Sequence, residues 1–235
     1  MNKPNPKVLR ALHLASELST ATELLSLGLN QVANPKWNAH QPGGAFNQLS
    51  QGAERLLKAT FWVYESSNGR SVDSRFGSGA SGHAISDLDE RVFDIYVSES
   101  ESLTPYVREL VAEARSDSYW RDIVLALDSW AATSGRYRDL DALRGRTHQG
   151  DPPWASWDAA EHRAITEAGG WGNLTEEHLI DSRKRLMLSF MRWWHVHYRA
   201  WQHGLVGAEG KQFSSEIRPA SLHLDPSVAA LIDGR

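Results

Sequence analysis

The chain has 235 residues, 41% of them hydrophobic and 23% charged, with a formal net charge of −4 and no cysteine. That length holds core enough for one large domain or two small ones, and the composition is ordinary for a soluble globular protein. The charge argues against a chain that coats nucleic acid non-specifically. The lack of cysteine excludes disulfides and thiolate metal sites and fits a reducing, cytoplasmic setting.

The first residues are not a signal peptide, because their apolar positions follow a helical period interrupted by Arg10, His13 and Glu17. No run of 18 apolar residues occurs, so no membrane span is expected. Asn5 before Pro6 reads as an N-cap followed by proline at the first helical position. Leu9, Leu12, Leu18, Leu25 and Leu29 carry helix to about Gln31, and a capping-box pattern from Thr20 to Glu23 leaves one helix or two open.

From Gly43 to Tyr64, Phe46, Leu49, Leu56, Leu57, Phe61 and Tyr64 share one side of a helical wheel, beside a polar stripe of Gln51, Glu54 and Lys58. This is the expected central helix, with 120–133 and 175–203 as its main packing partners. The loop after it contains Gly77, Gly79 and Gly82 in the spacing G-x-G-x-x-G. A dinucleotide site of that kind needs a preceding strand, and the preceding element has a helical period, so the stretch reads as a loop.

Leu88, Val92 and Ile95 place a third helix ending near Ser98, and its Asp87, Asp89, Glu90 and Asp94 read as a solvated acidic face. Pro105 opens a fourth helix bearing Val107, Leu110, Val111 and Ala114. Trp120, Ile123, Val124, Leu127, Trp130 and Ala131 form the cleanest apolar face in the chain. Residues 136–150 carry Arg136, Arg138, Arg144 and Arg146 against Asp139 and Asp141. A helix bearing Trp154, Trp157 and Ile165 follows. Thr175 caps the last long helix, and 204–235 reads as a loosely structured tail after a single all-α domain over 1–203.

On that last helix Leu179, Leu186, Phe190, Trp193, Trp194, His197 and Trp201 share one side, while Arg185, Arg192, His195, Arg199 and His203 lie on the other. Residues 183–203 are formally +5, which leaves −9 on the rest of the chain. A basic strip flanked by aromatics suits a phosphodiester backbone and its bases, and acidic surroundings would confine the contact to that face. Arg185, Arg192, His195 and Arg199 are therefore the candidate nucleic-acid contacts, with Arg136 and Arg138 extending them. No metal site is expected: His195 and His197 are two apart on a helix, which turns their rings about 200° from each other. No cofactor is expected either.

The order of these features resembles the HEPN superfamily of small helical bundles. The matching pieces are E-x-x-x-K from Glu54 to Lys58, Gly82-His83 after the next loop, and a helix ending in Arg136-Tyr137. The resemblance spans residues 8–203 and implies an antiparallel bundle of about six to eight helices, often a homodimer. It also implies a role with RNA, as nuclease or as non-catalytic binding domain, in toxin, antiviral or RNA-processing systems. The nuclease members carry R-x4-6-H, matched here by Arg192 with His197 and by Arg218 with His223. In such metal-independent chemistry a histidine moves protons and an arginine holds the phosphate. In a regular helix Arg192 and His197 point about 140° apart, which favours the non-catalytic reading. If cleavage survives, His83, Arg192 and His197 are its candidates. The alternative outside nucleic acid is a helical module that dimerises and scaffolds a partner protein.

Overall fold

Asn5 accepts a hydrogen bond from the Lys7 amide at 3.0 Å and Pro6 takes the first helical position, so α1 starts at the predicted cap and runs over Pro6–Ala33. The structure is a computed structural model that describes residues 5–34, 36–38, 40, 43–72, 84–100, 105–131, 138–145 and 151–219, with backbone alone at 139, 171 and 173. At Thr20 the helix continues. The Thr20 hydroxyl donates to the Ser16 carbonyl at 2.8 Å, a bond made inside a helix and not at a cap.

The second helix, α2 (Gly43–Ser67), lies antiparallel to α1, since late residues of one meet early residues of the other. Arg10 reaches Ser66, Arg55 pairs with Glu17, Gly52 faces Leu25, and Gly28 faces Leu49. A Cβ on Gly28 would stand 2.5 Å from Leu49 Cγ, and one on Gly52 would stand 2.8 Å from Leu25, so the two glycines let these helices close on each other. Next come α3 (Ile85–Ser100), α4 (Pro105–Ser116), α5 (Ser118–Ala131), α6 (Arg138–Leu143), α7 (Ala155–Glu167), α8 (Glu176–Gln202) and α9 (Gly207–Phe213). Short 3-10 turns occupy Gly170–Asn173 and Ser214–Ile217. The described residues form an all-α bundle with no strand. Nine helices lie among the described residues, α6 and α9 the shortest, in keeping with the expected all-α bundle.

Three expectations change. The main partner of α2 is α1; α5 packs on α2 as expected, but α8 lies chiefly against α7, α5 and α4. Apolar periodicity shows which side of a helix is buried and not which helix buries it. Second, residues 204–217 are not loose: Leu205, Val206 and Ile217 are buried in the core. The Trp194 indole donates to the Ile217 carbonyl at 2.8 Å and the Thr22 hydroxyl to the Glu216 carbonyl at 2.8 Å. Gly204 and Gly207 serve the turn into α9 with φ of 81° and 92°, while Gly210 is buried within it. Third, Asp89 is buried rather than solvated. Gly77–Gly82, and the chain beyond Pro219, lie outside the described residues. Among the described residues no helix is long and apolar enough to cross a membrane.

Candidate functional site

Thr175 and His178 cap α8 reciprocally: the His178 amide donates to the Thr175 hydroxyl at 3.4 Å and the Thr175 amide donates to His178 Nδ1 at 3.2 Å. Glu176 and Glu177 occupy the positive end of the helix dipole. The helix buries Leu186, Met187, Phe190, Trp193, Trp194, His197 and Trp201, which leaves the arginines on its outer face.

That outer face does not meet the acidic helix α3; it runs beside α4, the α4–α5 junction and the end of α7. Arg185 donates to Glu167 Oε2 at 2.8 Å, an oxygen that also accepts from the Tyr119 hydroxyl at 2.6 Å. Arg192 is 72% exposed, and its nearest carboxylate, Asp117, is 3.9 Å away, beyond hydrogen-bonding distance. His195 is half-buried; burial and then the Arg199 charge hold its pKa below the ordinary 6.5, so it is neutral at pH 7. Arg199 donates to Gln202 Oε1 at 2.7 Å, with its guanidinium 5.1 Å from the Tyr106 ring centroid. Arg138 is elsewhere, on α6, over the Trp154 ring at 5.8 Å. Arg136 and His83 lie outside the described residues. Between α4 and α8 a groove of about 310 Å³ opens beside Arg192 and His195, with Leu110, Ala114, Leu188 and Met191 as its apolar lining and Glu113 also at its edge.

The R-x4-H pair is not brought together. Arg192 is in solvent, whereas His197 is 0% exposed, enclosed by Trp193 at 4.4 Å, Tyr96 at 5.3 Å and Phe93 at 5.8 Å. His197 Nδ1 and the Tyr96 hydroxyl share a hydrogen bond at 2.8 Å, and Nε2 has no partner. Burial pushes the His197 pKa down to about 3, and raises that of Tyr96 far above the ordinary phenol range. A histidine so placed neither reaches a substrate nor exchanges protons at neutral pH. In the second match, Arg218 follows the last 3-10 turn and His223 is outside the described residues. The Glu54–Lys58 signature is an ion pair at 2.6 Å within α2.

Sequence reasoning missed one strongly perturbed carboxylate among the described residues. Asp89 accepts from the Trp193 indole at 2.7 Å and from the Trp120 indole at 3.0 Å, while the two rings stack at 4.4 Å. Burial raises its pKa from 3.8 to about 6, and the two indole bonds moderate that rise. The signal was present: Asp89 stands four residues after Ile85 and three before Val92, on the apolar stripe of α3. It lines a cleft of about 320 Å³ between α3, α4 and α5. Among the described residues no three His, Asp or Glu side chains gather as a metal-binding group. Comparison with protein-family models, with characterised proteins and with solved structures returned no match.

Proposed function

We propose that this chain is an HEPN-like, non-catalytic protein that binds single-stranded RNA through Arg185, Arg192, His195 and Arg199 on α8. The observation that carries the reading is Arg192, a cation 72% exposed to solvent whose contact with Asp117 is long at 3.9 Å, midway along a line of basic residues. From Arg185 to Arg199 the line extends about 21 Å at 1.5 Å per residue. The Arg185–Glu167 contact is half-exposed, and surface pairs of this kind are worth about 0–1 kcal/mol, so a phosphate can replace the carboxylate. Tyr106 and Tyr198 flank the line, Tyr198 at 6.1 Å from the His195 ring. The burial and neutrality of His197 support binding without cleavage.

Neutralising about three phosphates gives a log–log salt slope near −2 for single-stranded RNA. Arg192→Gln with Arg199→Gln flattens that slope and weakens all sequences about equally, because phosphate contacts position without specifying. A double variant that binds RNA as well as the parent overturns the reading, and so does cutting of RNA in EDTA that disappears in His197→Ala.

The α4–α8 groove favours a second reading, a scaffold that takes a helix of a partner protein or of a second copy. Sedimentation equilibrium separates the two, since a chain that is monomeric at tens of micromolar and binds RNA leaves the scaffold reading without support.

A further inference from the structure

The cleft between α3, α4 and α5 has a floor and walls of unlike chemistry. Its floor is Asp89, which is buried, with each oxygen occupied by one indole N–H. A carboxylate has about four acceptor positions, so about half of the capacity of Asp89 is unused. Buried charges in proteins are normally paired. No cation lies within ion-pairing distance of Asp89 among the described residues. The neighbouring Arg115 is held by Asp94 at 2.8 Å, and Arg121 at the rim stays exposed. Phe93, Val124 and Leu125 supply apolar walls, and Asp87, Glu90 and Asp117 add three more carboxylates around the opening.

We propose that this cleft binds a small organic cation, an alkylammonium or alkylguanidinium, with its charged head against Asp89 and its hydrocarbon along Phe93, Val124 and Leu125. The head supplies the missing counter-charge and donates to the free acceptor positions of the carboxylate. Four carboxylates against two arginines set a negative potential that excludes anions. The aromatic walls add attraction for a cation and none for a neutral alcohol. A bare metal ion does not suit the site, because the carboxylates do not converge as ligands. At about 320 Å³ the cleft is at the small end of the range for ligand sites, which matches a chain of a few carbons. The site is separate from the α8 arginines and does not depend on RNA binding.

Trp120 lines the cleft, so its fluorescence reports occupancy in the full chain. n-Butylammonium and agmatine, titrated at pH 7.5 and constant ionic strength, give a saturable change, whereas 1-butanol and butyrate give none. Asp89→Asn weakens butylammonium binding about tenfold or more, the usual consequence of losing a charge-assisted bond. Since Asp89 is in the core, a second variant guards the test: Leu125→Lys, at the exposed rim, places its own ammonium over the opening and weakens binding similarly with circular dichroism unchanged. The proposal is overturned if neither cation gives a saturable change. It is equally overturned if Leu125→Lys and a folded Asp89→Asn both bind butylammonium like the parent.

Discussion

Asp89→Asn makes the burial of that carboxylate measurable as a change in stability with pH. The folded-state pKa of about 6 lies above the ordinary 3.8, so between those values the folded chain keeps a proton that the unfolded chain has lost. The stability contributed is therefore fully present below pH 3.8 and is lost as pH rises through about 6. The gap corresponds to about 3 kcal/mol at 1.36 kcal/mol per pH unit, of which about 2.5 kcal/mol separates pH 4 from pH 7.5. Asparagine offers one acceptor oxygen to two indole donors, so one N–H goes unpaired at a cost of about 1–3 kcal/mol at any pH. The expected outcome is a variant clearly less stable than the parent at pH 4 and about equal to it at pH 7.5. Urea unfolding of both proteins at the two pH values reads this directly, and the titration of His197, present in both, cancels in the difference. A stability difference that stays within about 0.5 kcal/mol across that range would refute the burial of an ionisable Asp89.

The remaining predictions concern the core and its edges. His197, with its pKa near 3, shows no NMR titration between pH 8 and 5, and its contribution to stability is lost only as pH falls from 6.5 towards 3; a midpoint near 6.5 places the ring in solvent instead. Gly28→Val lowers stability by about 2 kcal/mol in thermal or urea unfolding, because the new side chain overpacks Leu49. A gain in stability shows that α1 and α2 are not in close approach there. Truncation after His203 removes Leu205, Val206 and Ile217 from the core at about 1.5–3 kcal/mol each, comparable with the whole stability of a typical domain. The shortened chain is expected to lose cooperative unfolding by circular dichroism, and one that unfolds like the parent shows 204–217 to be dispensable.

The signals legible in the sequence are those that act within one turn of helix. Asn5 with Pro6, and Thr175 with the acids after it, mark helix starts because a cap satisfies amides only two or three residues away. The separation of Arg192 from His197 follows from 100° per residue and needs no tertiary information. It was enough to argue against the R-x4-H pair, and the burial of His197 agrees with it. Other features depend on elements far apart in the chain. Asp89 reads as part of an acidic surface until Trp120 and Trp193 arrive from α5 and α8 to receive it. Arg185 reads as free until α7 brings Glu167 to it. Residues 204–217 read as a tail until α1 and α8 supply Thr22 and Trp194 to bind their carbonyls. Periodicity and capping are properties of a single helix, so the sequence by itself determined the longer helices and most of their buried faces, but not the short helix α9 or the burial of Asp89. Burial of a charge, and the partner that compensates it, depend on which faces meet, and only the tertiary structure decided that.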